Sequence, residues 1–112
     1  MIIPKKGTKE VEKIKSILVC DETLYDVAEL FKAFADTTRI KIIAVLKDEE
    51  LCVGAISELI NVSQSAVSHQ LRVLKNSKII KPKKVGKQIF YSLDDEHIET
   101  ILGMAFDHTK EH

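Results

Sequence analysis

The sequence predicts a mainly helical, α+β fold of the winged helix-turn-helix type, with five to six helices and a two-stranded β-hairpin before the last one. Three observations carry this reading. Apolar residues recur at helical spacing through most of the 112 residues, of which only 5% are aromatic. Two short amphipathic segments are separated only by Asn61-Val62-Ser63, the tight joint of a helix-turn-helix. Around Val85-Gly86 the pattern changes to β-favouring residues, among them Ile89, Phe90 and Tyr91.

Taken in order, residues 1–7 read as a flexible arm. Residues 8–18 place Val11, Ile14, Ile17 and Leu18 at helical spacing. The polar Cys20-Asp21-Glu22-Thr23 interrupts, and a second helix resumes over residues 24–35 with Leu24, Val27, Leu30, Phe31 and Phe34. Asp36 is placed to cap a third helix ending near residue 46, with Ile40, Ile43, Val45 and Leu46 inward. Lys47-Asp48-Glu49-Glu50 is a polar turn.

The helix-turn-helix spans residues 53–76. Its first helix carries Val53, Ile56, Leu59 and Ile60. Asn61 tolerates the left-handed conformation that ends a helix, and Ser63 can cap the next. That next helix turns Ala66, Val67, Leu71 and Leu74 inward and presents Ser65, Ser68, His69 and Arg72 at i, i+3, i+4 and i+7. Residues 79–93 follow as a basic hairpin, the wing. A final helix over residues 95–110 sets Ile98, Ile101, Leu102, Ala105 and Phe106 along one side.

A chain of this length forms one domain, 1–112, with a core small enough that dimerisation would help it, through the N- and C-terminal helices. There is no run of about twenty apolar residues, so no membrane helix is expected. The first residues lack the apolar stretch of a signal peptide, and two cysteines make no disulfide framework, so a cytoplasmic protein is expected. The 17 basic and 17 acidic residues cancel, but unevenly. Residues 59–93 contain no Asp or Glu and seven positive charges, from Arg72, Lys75, Lys78, Lys81, Lys83, Lys84 and Lys87. Such a local excess in a neutral chain suits a phosphate-binding face. Double-stranded DNA is the expected partner. Gln64, Ser65, Ser68 and His69 would meet the duplex, Gln64 at adenine or phosphate, while Arg72, Lys84 and Lys87 hold its backbone.

The C-terminal stretch reads D-x-H-x10-H-x2-E, from Asp95 and His97 to His108 and Glu111. On one helix His97 and His108 lie roughly 16 Å apart, too far to share an ion, yet eleven steps of about 100° bring them to one face. Two such helices running antiparallel would set Asp95 and His97 of one chain against His108 and Glu111 of the other. This makes a pair of metal sites across a symmetric dimer. Two imidazoles and two carboxylates favour zinc or cobalt over thiol-seeking ions. Asp95 is equally placed to cap the last helix, and His112 could replace Glu111 as fourth ligand. Cys52 reads as a small buried apolar residue. The alternative is that redox state or a thiophilic metal is sensed through Cys20 and Cys52.

Several segments together resemble the ArsR/SmtB family of metal-sensing repressors, over roughly residues 24–111. They are Phe34-Ala35-Asp36-Thr37-Thr38-Arg39, Glu50-Leu51-Cys52-Val53, Ser63-Gln64-Ser65-Ala66-Val67-Ser68-His69-Gln70-Leu71, and Val85-Gly86-Lys87 with Tyr91. The resemblance implies a dimer that binds an operator and is released from it by metal. It also implies a metal site on the last helix, whose ligand positions are all matched here. A second family site, at the start of the helix-turn-helix, would need a ligand where Gly54 and Ala55 stand, so its loss is expected. No enzymatic activity is implied, since four protein ligands leave a metal no open position.

Overall fold

A computed structural model describes residues 7–18 and 20–111. The arm expected for residues 1–7 and the alternative ligand His112 lie outside these, except Gly7, which precedes the first helix. The chain runs α1 (Thr8–Lys15), α2 (Asp21–Phe34), α3 (Thr37–Val45), β1 (Leu51–Cys52), α4 (Val53–Ile60), α5 (Gln64–Asn76), β2 (Ile80–Val85), β3 (Gln88–Leu93) and α6 (Glu96–Glu111).

The helix boundaries follow local chemistry. Asp36 accepts a hydrogen bond from the Arg39 backbone N–H at 3.0 Å and starts α3. Asn61 takes the left-handed conformation (φ 56°, ψ 49°) that closes α4. Two residues on, the Ser63 hydroxyl accepts from the Ala66 N–H at 3.3 Å and opens α5. The Ser57 hydroxyl donates to the Val62 carbonyl and braces the turn between them. α2 begins three residues earlier than the apolar spacing indicates, with Cys20 at its N-cap. Its first turn holds Asp21 and Glu22, which suit the positive end of a helix and carry no apolar signal.

The wing is larger than the expected hairpin. β2 and β3 pair antiparallel through Ile80↔Leu93 to Val85↔Gln88, joined at Gly86, whose φ of 63° favours glycine. β1 adds a third strand through Leu51↔Tyr91 and Cys52↔Phe90, in the order β1-β3-β2. Two residues are too few for the alternation that marks a strand in sequence. Pro82 lies in β2, an edge strand, where its missing N–H costs no central ladder bond.

The core lies where α3, α4, α5, the wing base and α6 meet. Ile42, Ile43 and Leu46, Ile56, Val67, Leu71 and Leu74, Ile79 and Ile80, and Ile98 and Leu102 are all buried. This seats α5 with one side in the protein, although Ala66, expected inward, is exposed. Large apolar side chains are exposed on the outer helices instead: Ile14, Tyr25, Phe31, Met104 and Phe106, from 44% for Phe106 to 68% for Met104. Among the described residues, no helix is long and apolar enough to cross a membrane.

Candidate DNA-reading face and metal centre

Val67, Leu71 and Leu74 anchor α5 in the core, which leaves Ser65, Ser68, His69 and Arg72 exposed along its other side. Gln64, the first residue of the helix, lies beside Gly54, where an added Cβ would stand 3.6 Å from its amide nitrogen. That is an ordinary van der Waals distance, so the start of α4 and the Gln64 side chain are close neighbours. A cleft of about 500 Å³ opens between the start of α4, α5 and the wing, and is lined by Gln64, Ser68, Lys87, Gln88 and Tyr91. The fold so brings Gln64 and Ser68 together with Lys87, although 23 positions separate Gln64 from Lys87 in sequence. His69, Arg72 and Lys84 do not line the cleft. Gln88 does, and nothing in its residue type or spacing marks it, because it falls in a strand-like run.

The basic stretch divides in space. Lys83 approaches the Glu50 carboxylate at 4.0 Å, and Lys81 lines a groove with Asp48, Glu49, Asp94 and Glu96. Acids from the turn before β1 and from the start of α6 therefore sit beside two of the seven cations. Lys84 and Lys87 stay exposed on the wing, and neither lines that acidic groove.

At the start of α6 the Asp95 carboxylate accepts from the His97 backbone N–H at 2.9 Å, so it does cap the helix. The same oxygen lies 3.4 Å from His97 Nδ1. Partial desolvation pushes the Asp95 carboxyl up, but hydrogen bonds from the His97 ring and backbone N–H, with the ring's charge, outweigh it and hold the carboxyl below its usual range. Ligand atoms on a tetrahedral zinc, with bonds of about 2.0–2.1 Å, stand roughly 3.3 Å from one another. The Asp95–His97 separation is compatible with two neighbouring corners of such a site, while the same oxygen also caps the helix. His108 and Glu111 occupy the last turns of the same helix, about 16 Å further along by the helical rise. Among the described residues of this single chain, no three His, Cys, Asp or Glu gather as a metal site. A site that uses both ends of α6 thus needs a second copy of the chain.

The two cysteines are free thiols, Cys20 exposed and Cys52 half-buried. Cys20 Sγ lies 3.2 Å from the Thr23 hydroxyl. That contact, with the Thr23 backbone N–H, lowers the Cys20 thiol below its ordinary range.

The sequence model described as bacterial regulatory protein, arsR family, matches residues 36–81, from the cap of α3 into the wing. The cadmium resistance transcriptional regulatory protein CadC homolog of Staphylococcus aureus is 49% identical over 87 residues, covering 77% of this chain and 72% of that protein. The transcriptional repressor SmtB homolog of Synechocystis is 34% identical over 108 residues, covering 96% of this chain and 82% of its own. In three dimensions the chain is similar to the homodimeric winged helix-turn-helix DNA-binding domain of a Mycobacterium bovis regulator. Its TM-score is 0.75 at 21% identity, over 99% of this chain and 93% of that one. A winged helix-turn-helix seated on a packed core, together with these relatives, places the chain in the arsR family of bacterial regulatory proteins, DNA-binding transcriptional regulators and not enzymes.

Proposed function

We propose that the chain, as a single domain over residues 1–112, acts in the cytoplasm as a homodimeric repressor that lets go of its operator when zinc or cobalt binds across the dimer. The observation that carries this is the arrangement on α6. Asp95 and His97 stand 3.4 Å apart at one end, and His108 and Glu111 lie on the same face at the other. An antiparallel partner helix would complete two sites with four protein ligands each. The exposed apolar side chains of α1, α2 and α6 supply the surface such a dimer would bury. The donor set, two imidazoles and two carboxylates, suits zinc or cobalt better than cadmium, despite the S. aureus relative's name.

The residues then divide the work. Gln64, Ser65, Ser68 and His69 meet base edges in a major groove, while Arg72, Lys84 and Lys87 hold phosphates. Asp95 and His97 of one chain, with His108 and Glu111 of the other, hold the ion. A bound ion would supply a crosslink that favours one arrangement of the two α6 helices. If the reading helices fit DNA better in another arrangement, metal and operator oppose each other reciprocally, and a coupling of about 3 kcal/mol lowers operator affinity roughly a hundredfold.

The test is a zinc titration of the dimer on a fluorescent operator, with His97→Ala and a Cys20→Ser/Cys52→Ser variant alongside. Wild type and the cysteine variant should release DNA at one zinc per chain, and His97→Ala should hold it. Release that survives His97→Ala and disappears with the cysteines would overturn the reading.

A further inference from the structure

Arg39 belongs neither to the DNA-reading face nor to the metal site, yet its side chain joins three helices. Its backbone is fixed at the start of α3 by the Asp36 cap, at 3.0 Å. From there the guanidinium reaches the end of α2, where Nε donates to the Ala33 carbonyl at 2.7 Å and Nη2 to the Lys32 carbonyl at 3.3 Å. Its remaining arm, Nη1, donates to Gln70 Oε1 on α5 at 3.0 Å. Carbonyls at a helix end carry its negative pole, so a guanidinium is well matched to them, the Lys32 carbonyl while it also accepts from the Ala35 N–H at 3.1 Å. Among the described residues, the bond to Gln70 is the only side-chain hydrogen bond that ties α5 to α2 or α3.

We propose that Arg39 is a positioning residue for operator recognition, and that through Gln70 it fixes the roll of α5 about its own axis relative to α2. Gln70 follows Ser68 by two positions, about 200° around the helix, so it is held from the side away from the reading face. The apolar anchors Val67, Leu71 and Leu74 hold α5 on the core, and the bond at Gln70 adds a directional constraint to that packing. A hydrogen bond to a planar guanidinium is directional. At a side-chain radius of about 5–6 Å, a roll of about 10° carries the tips of Ser68, His69 and Arg72 by roughly 1 Å. That is enough to spoil bonds to base edges, while long lysines keep their phosphates. The same fork joins α5 to α2, whose Tyr25 and Phe31 are exposed.

The inference rests on α5 being the reading helix, so the experiment tests both. A duplex selected by the wild-type protein from a randomised pool is compared with a scrambled duplex, for wild type, Gln70→Leu, Gln70→Glu and Ser68→Ala/His69→Ala. Gln70→Leu should reduce the preference for the selected duplex about tenfold, with the salt slope on scrambled DNA unchanged and the thermal midpoint lowered by only a few degrees. Gln70→Glu should keep the preference, since its carboxylate still accepts from Arg39. If Gln70→Leu keeps the wild-type preference while Ser68→Ala/His69→Ala loses it, the role of Arg39 is overturned and the reading helix stands. Equal losses in Gln70→Leu and Gln70→Glu overturn it as well. A preference that survives Ser68→Ala/His69→Ala overturns the reading helix, and the inference with it.

Discussion

Asn61 and Ser63 show what single residues contribute to this fold. Each acts on the backbone within three positions of itself, one by taking a φ of 56° and the other by accepting the Ala66 N–H. Both roles were therefore legible from residue type and spacing. Ser63→Ala should cost about 1 kcal/mol of stability, and Asn61→Gly no more than a few tenths, since glycine enters the left-handed region freely. Urea unfolding of the two variants checks this. The Asp95 cap was legible in the same way. The Arg39–Gln70 bond was not, because its partners lie 31 positions apart and neither residue type points to the other.

At the scale of elements, the helices were readable because their apolar stripes repeat over two or more turns, and the wing because β-branched and aromatic residues cluster in β3. β1 escaped because it is two residues long. The charge pattern was legible only in part. The stretch from residue 59 to 93 has no acid along the chain, but folding brings Glu50 to Lys83 at 4.0 Å. The cations therefore should not contribute equally to DNA binding. Lys87→Ala should lower the slope of log affinity against log salt by about one, as expected for the loss of one phosphate contact. Lys83→Ala should change the slope by much less. Equal effects of the two substitutions, measured by fluorescence anisotropy across a salt series, would count against the division of the wing proposed here.

For the whole molecule, one chain shows a surface that asks for a partner more clearly than it shows the partner. Tyr25 is 64% exposed and Met104 68%, values that suit an interface better than a free surface when several such residues lie on the outer helices. The metal pattern leads to the same point, because Asp95 and His97 meet at one end of α6 while His108 and Glu111 sit at the other. The pattern was legible from the sequence as spacing, whereas the pairing of helices that would complete it depends on contacts no single chain contains. The most direct test mixes two variants, His97→Ala and His108→Ala, and lets the dimers exchange subunits. Cobalt binding, with its tetrahedral absorption, is then measured. Each variant alone should bind weakly at both sites. In a mixed dimer, one site loses both histidines and the other keeps its full set, so random mixing should restore about a quarter of the wild-type sites. If exchange is complete and no sites return, the ligands do not come from opposite chains, and α6 holds no metal across the dimer in this way.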